Sequence, residues 1–358
     1  MNILFVVWNT HLGGTEGWIL RNATALMTRG HQVYIWSIYG RGRLPEDAKI
    51  SGIKLLPPLY SWPSLIFKML NIIKAIYKFK KPLIIHSFGL KCDILVKIFF
   101  SGDPNIHIIS GIRSIDPWRT WMHHILEKFR INKIDKWISN TKIGKTIYME
   151  RYKVKEERIK VIYNDVNIPL VQKDRTLFSM PKIVFLGNIQ ERKGIYELLK
   201  AIQIVKKEDM QFILHLYGND FTNKNFLKLI LDLDIQDRIA YHGFEFDKER
   251  IFKNAFFLVA PSYWEGFSNS IIEALSFGVP VIGTDVGGTP EIIKDRWNGL
   301  LVRAKDSQGL AKAMKDLLLH PEVAMQYGVN GRKSVEQLCN QNKLVNELIS
   351  TYEKVIYF

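Results

Sequence analysis

The stretch WEGFSNSIIEALSFGVP, Trp264 to Pro280, sets two carboxylates, Glu265 and Glu273, around a turn-like run, Gly266-Phe267-Ser268-Asn269-Ser270. A helix that opens near Ser268–Asn269 offers unpaired backbone N–H groups and the positive end of its dipole, a setting for an anion. Glu265 lies just before that helix and Glu273 a turn or more inside it, so both can accept hydrogen bonds from hydroxyl groups beside the anion. A second loop, GNIQERKG from Gly187 to Gly194, follows an apolar run and carries Lys193, a compact point charge, next to Arg192. A third, LGGTE, holds Gly13 and Gly14, and Gly14 lets the backbone approach a bound anion with no Cβ in the way. His86 follows the apolar run PLII, and Lys91 and Arg113 are cations on nearby loops that could meet an anionic partner.

Such loops need elements to hold them. NILFVV, HQVYIWSI, PLIIHSF and NIHIISGI are apolar runs of strand length, and Ile19, Leu20, Ala23, Leu26 and Met27 between the first two have helical spacing. The pattern restarts at PKIVFLGN and continues through GIYELLKAIQIVKK, FILHLYGND, RIAYHGF, FFLVAPS and PVIGTD. Strands alternating with helices predict an α/β chain with parallel sheets covered on both faces. A chain of 358 residues, 47% of them hydrophobic, suits two such domains. A polar, proline-bearing joint around 165–180 divides them. We expect an N-terminal domain over 1–168, a second over 169–338, and a closing helix, 339–358, that packs back on the first. Open parallel sheets bind ligands at the carboxyl ends of their strands, and the loops above fall there.

In this order the motifs resemble those of the retaining glycosyltransferases of GT-B type, in particular family 4 (glycosyltransferase group 1), and the resemblance covers most of the chain. It rests on the Gly13-Gly14 loop, the Gly187–Gly194 loop with its Lys-Gly end, and the acid-x7-acid pair after Pro261-Ser262. EALSFGVPVIGTDVGGTPEI and NGLLV at Asn298–Val302 complete it. It implies two Rossmann-like doubly wound domains facing across a cleft. It implies transfer of a sugar from a nucleoside diphosphate, usually uridine diphosphate, to a hydroxyl of a glycan acceptor, with retained configuration. The resemblance assigns the sugar hydroxyls to Glu265 and the ribose to Glu273. Lys193, Gly187, Gly14 and residues 266–270 are left for the diphosphate. The family often has an arginine where this chain has Asn188, and Arg192 is the replacement charge at hand. It commonly has His-x-His where this chain has His86-Ser87-Phe88, near the acceptor. The departing phosphate is generally held to take the acceptor's proton, so neither a protein base nor a cofactor nor a metal is implied.

Other readings stay in view. The same fold serves nucleotide-sugar epimerases and phosphorylases. Charge alone would fit a nucleic-acid-binding protein, but the basic residues interleave with aliphatics and no recognisable module is present, so no nucleic-acid partner is expected. Asp232-Leu233-Asp234 spells a manganese-binding motif, yet it trails a helical run.

The net charge of +15 is uneven. Residues 1–165 hold 26 Lys+Arg against 12 Asp+Glu, a balance of +14, and the remainder hold 24 against 23, a balance of +1. Within WPSLIFKMLNIIKAIYKFKK, Lys68, Asn71, Lys74, Lys78 and Lys81 form one helical stripe, and aliphatics cover the rest. A broad apolar face edged with lysine predicts a helix lying in an anionic membrane interface, with Trp118 and Trp121 adding to that surface. A lipid-linked acceptor follows from that reading. Two distant cysteines, Cys92 and Cys339, argue for a reducing compartment. No secretory signal and no bilayer-spanning run is read, so the expected place is cytoplasmic, peripheral on the inner face of the membrane.

Overall fold

The computed structural model describes residues 1–8, 13–39, 51–58, 65–114, 119–169 and 180–357. It divides into two compact units, Met1–Asn164 with the segment from Gln341, and Asp165–Asn340.

The first unit carries β1 (Asn2–Val7), α1 (Gly14–Met27), β2 (Gln32–Ser37), β3 (Lys54–Leu56), α2 (Leu65–Tyr77) and β4 (Leu83–Phe88). It continues with α3 (Leu90–Phe99), β5 (Ile106–Ile112), α4 (Trp121–Lys128), β6 (Lys136–Ser139), α5 (Lys142–Tyr152) and β7 (Ile159–Val161). Its sheet is parallel, in the order β3-β2-β1-β4-β5-β6-β7. Every residue of NILFVV is buried because helices cover both faces, and alternate residues serve the two cores. Leu4 and Val6 join Ile72, Ile73 and Ile76 of α2 and Cys92 and Val96 of α3. Ile3, Phe5 and Val7 join Trp18, Ile19, Ala23 and Leu26 of α1 and four residues of the last helix, Gln341–Tyr357. Those four, Leu344, Val345, Leu348 and Tyr352, make one helical face.

Part of the apolar face read on α2 is taken up inside the unit. Ile72, Ile73 and Ile76 are spent on the unit's own core, and Lys74 and Lys78 form a solvated edge. Among its described large apolar side chains, Leu70 and Tyr77 stand exposed. Lys81 lies beyond the helix, paired with Asp103 at 3.3 Å and set over the Tyr77 ring. The side chain of Lys68 and the whole of Trp118 lie outside the described residues.

The second unit runs β8 (Lys182–Leu186), α6 (Ile195–Lys206), β9 (Ile213–Tyr217), α7 (Asn225–Asp232), β10 (Ile239–Gly243), α8 (Lys248–Phe252) and β11 (Ala255–Ala260). Then come α9 (Asn269–Ser276), β12 (Val281–Thr284), α10 (Thr289–Ile292), β13 (Gly299–Val302), α11 (Ser307–Leu319) and α12 (Pro321–Leu338). Its parallel sheet is ordered β10-β9-β8-β11-β12-β13. The strand order reverses between β8 and β11, the position at which such sheets open a binding crevice. On one face Leu198, Leu199, Ile202 and Val205 of α6 pack with Phe185, Leu214, Leu216 and Phe257. Asp232 ends α7 and Asp234 follows in a left-handed turn whose carboxylate lies 3.6 Å from Lys206. Among the described residues, no cluster of three or more His, Cys, Asp or Glu could hold a metal ion.

Candidate functional site

Three loops of the second unit meet at the carboxyl ends of β8, β11 and β12. The backbone forces the meeting. Gly194 has φ +71°, and a Cβ there would stand 1.9 Å from the carbonyl oxygen of Pro261. Gly287 has φ +52°, and its Cβ would stand 1.9 Å from the carbonyl oxygen of Glu265. Any side chain at either position would therefore part the loops. Main-chain bonds close the seams: Tyr263 N–H donates to Arg192 O at 2.8 Å, and Gly288 N–H to Gly266 O at 3.0 Å. Thr284 Oγ1 donates to Ser262 O at 2.6 Å.

Lys193 and Glu265 face each other across this junction. Lys193 Nζ pairs with Glu265 Oε1, which also accepts from Ser262 Oγ at 2.9 Å. Burial pushes the Glu265 carboxyl up, but the Lys193 ammonium, the Ser262 hydroxyl and the charge of Arg192 outweigh it, so the group sits below the usual carboxylate range and stays ionised. Glu265 leads directly into α9, which begins at Asn269 with Ser268 as its N-cap. The Ser268 side chain makes no capping bond and instead meets Ser270 Oγ at 3.2 Å. Phe267 is buried, so the turn before the helix is anchored from below. Glu273 lies on α9 with Oε2 3.0 Å from Lys248 Nζ of α8. Gly187 opens the first loop at φ +154°, and Asn188 after it is exposed.

Beside this group stand residues that the sequence reading passed over. Ser262 and Lys248 are partners of the two glutamates. Tyr263 donates to Glu197 Oε2 at 2.6 Å and lies under Lys305. Burial and the Glu197 carboxylate push its phenol upward. Ser262 stood in the quoted Pro-Ser pair, but nothing in the sequence pairs Lys248 with Glu273 from twenty-five residues away.

The first unit treats its expected site residues differently. Gly14 is the exposed first residue of α1, after Gly13 as N-cap. Lys91 is exposed and lies 4.6 Å from the Trp8 ring centre. Arg113 lies over Trp18, with its Cζ 3.7 Å from the ring centre, and donates to Asn164 Oδ1 at 3.0 Å. His86, expected near an acceptor, is wholly buried between Phe5, Trp18 and Phe88. Its Nδ1 lies 2.8 Å from Tyr352 Oη on the last helix, and its Nε2 has no hydrogen-bond partner among the described residues. Burial, aided by Arg113, holds its pKa well below the usual histidine range, so it is a neutral core side chain and not an exposed acid or base.

Asp93 was also missed. It accepts from Ser87 Oγ at 2.5 Å and Ser110 Oγ at 2.8 Å, and burial together with Glu127 raises its pKa to about 7. It borders a cavity of about 180 Å³ together with Glu16, Arg113, Arg119 and Tyr148. A lone aspartate in the helical run LKCDILVKIF carries no sequence mark of that surrounding.

Two parallel doubly wound sheets, with a lysine–glutamate pair under glycine loops at the strand ends of the second, are the features expected of a GT-B glycosyltransferase. The comparisons place the chain further. The family model described as Glycosyltransferase Family 4 matches residues 12–168, and the one described as Glycosyl transferases group 1 matches residues 173–334. The chain belongs to this glycosyltransferase family. It is 23% identical over 358 residues to the capsular polysaccharide biosynthesis glycosyltransferase CapM of Staphylococcus aureus, covering 91% of each chain. It is 27% identical over 197 residues to N-acetyl-alpha-D-glucosaminyl L-malate synthase of Bacillus anthracis, covering 54% of this chain and about half, 51%, of that relative. The crystal structure of Anabaena HepE in complex with UDP and glucose has the same fold, with a TM-score of 0.87 at 17% identity, covering 99% of this chain and all of the other.

Proposed function

We propose that the protein moves a sugar from a UDP-sugar to a hydroxyl of a lipid-linked glycan acceptor, with retained anomeric configuration, in cell-surface polysaccharide synthesis. It would act at the inner face of the cytoplasmic membrane and need neither cofactor nor metal. The observation that carries the donor reading is the Lys193–Glu265 pair at the mouth of α9. Without donor, cation and carboxylate neutralise each other. A diphosphate arriving at the N-terminal end of α9, where the helix dipole is positive, competes for Lys193, and Arg192 adds a second charge. Glu265, released but still ionised, then accepts hydrogen bonds from sugar hydroxyls and opposes the positive charge that develops on the sugar. Glu273 does the same for the ribose hydroxyls, exchanging Lys248 for them. In the transfer, the bond from the anomeric carbon to the phosphate oxygen breaks as the bond to the acceptor oxygen forms. The acceptor's proton passes to the departing phosphate. UDP in the HepE structure and the capsular role in the CapM name support the choice of base and pathway.

Calorimetry with UDP, UDP-sugars and the other nucleoside diphosphates tests the donor reading, and no heat with any of them would overturn it. Product analysis by NMR tests the rest. An inverted anomeric centre would refute retention. An epimerised donor without acceptor, or turnover only with free phosphate, would favour the epimerase or phosphorylase reading.

A further inference from the structure

Helix α4 is built inside out. Its residues Trp121, Met122, Ile125 and Leu126, with Phe129 just after it, are 70, 55, 57, 41 and 42% exposed. At 3.6 residues per turn these five cover one continuous arc of about 140°. Ile98 of α3, 46% exposed, belongs to the same neighbourhood, since Arg130 Nη1 donates to the Lys97 and Ile98 carbonyls. The opposite face is polar and turned inward. Glu127 is fully buried and accepts from Arg119 Nη1 at 3.0 Å and Tyr148 Oη at 3.2 Å. Buried Lys97 donates to Glu127 O at 3.1 Å, and His124 Nδ1 lies 2.8 Å from Tyr152 Oη. These bonds hold the helix in this orientation, because rolling it over would strip a buried carboxylate and a buried ammonium of their partners. A surface helix ordinarily does the reverse, so the exposed arc marks an interaction.

Charge chooses the partner. Lys128, Arg130 and Lys133 are exposed around the arc, and from 119 to 134 the one carboxylate is the buried Glu127. A lipid surface with acidic headgroups satisfies both parts at once: apolar side chains enter the interface, tryptophan at its rim, and cations meet phosphates.

We propose that α4, and not α2, is the element by which the first unit docks on an anionic lipid surface. This deepens the lipid-linked acceptor reading, yet the docking is measured without donor or acceptor, so its failure and that of the transfer reading are separate results. The test is co-sedimentation of the full chain with phosphatidylglycerol vesicles and with phosphatidylcholine vesicles, for wild type, Trp121→Ser with Ile125→Ser, and Lys74→Glu with Lys78→Glu. Both serine sites are exposed, and an unchanged melting temperature and UDP heat certify the fold. Wild type is expected to bind phosphatidylglycerol in preference to phosphatidylcholine. The serine variant is expected to lose about tenfold or more in affinity, and the Lys74/Lys78 variant much less. Absence of wild-type binding, unchanged binding by the serine variant, or larger loss in the Lys74/Lys78 variant would overturn the proposal. So would a dimer in sedimentation velocity that the serine substitutions dissolve, which would give the face to a second copy.

Discussion

At the scale of single residues, the Lys193–Glu265 pair has two separable duties. Lys193→Ala should weaken UDP binding and turnover together, because the ammonium meets the diphosphate in ground and transition states alike. Glu265→Gln keeps shape and hydrogen bonding but removes the charge, so UDP heat should change little while turnover falls roughly 10²–10³-fold. The double variant should lose less than the product of the two, since each single change leaves a part-buried partner unmatched. Equal losses of UDP affinity in both single variants would contradict this division. His86 supplies a different prediction. Its pKa is depressed in the fold, so the unfolded chain takes up a proton that the folded chain refuses as pH falls below about 6.5. Stability should drop on that account by up to about 1.4 kcal/mol per pH unit below that point. Asp93, raised in the fold, works in the opposite sense, stabilising at low pH and losing that contribution as pH rises through about 7. Denaturant titrations of wild type and His86→Phe between pH 4.5 and 7.5 cancel the Asp93 part. The difference should grow as pH falls, and a flat difference would mean that the histidine takes up its proton as readily in the fold as in the unfolded chain.

At the scale of elements, glycine makes the site possible. Gly194→Ala forces a Cβ into Pro261 O and puts an L-residue at φ +71°, so the first two loops must separate. A loss of about 2–4 kcal/mol is expected, together with lost UDP binding, whereas Lys193→Ala should lose affinity with little change in melting temperature. Calorimetry and differential scanning on the two variants distinguish a broken scaffold from a missing charge. This part of the molecule was legible in the sequence. Apolar runs predicted the strands, and the turn before SIIEALS predicted the start of α9, because local turn chemistry decides both. The helices of the first unit were less legible. In α2 the pattern showed aliphatics nearly all round, but only packing assigns Ile72, Ile73 and Ile76 to the core. In α4 the apolar spacing was present, yet the direction of the apolar face depends on Lys97 and Arg119, which precede it in the chain, and Tyr148, which follows it. His86 was expected near an acceptor, and its burial could not be seen for the same reason: Tyr352, its partner, is 266 residues away.

At the scale of the whole molecule, the order of the chain and the order of the units differ. The segment from Gln341 belongs to the first unit, although 176 residues of the second unit, Asp165–Asn340, precede it. Leu344, Val345 and Leu348 are at most 4% exposed there, and Tyr352 is fully buried against His86. Burying three aliphatic side chains is worth roughly 5–9 kcal/mol, before the Tyr352 ring and its hydrogen bond are added. That is comparable to the whole stability of an ordinary domain, about 5–15 kcal/mol. A chain ending at Asn340 should therefore fail in its first unit and keep its second. Under limited proteolysis it should be cut within residues 1–164 and leave a resistant fragment near 165–340 that still binds UDP. The Tyr352→Phe chain, with its packing intact and only the hydroxyl removed, should stay whole and lose about 1–3 kcal/mol. If the shortened chain were as protease-resistant over 1–164 as the full one, the last helix would be an ornament on the first unit and not part of its core.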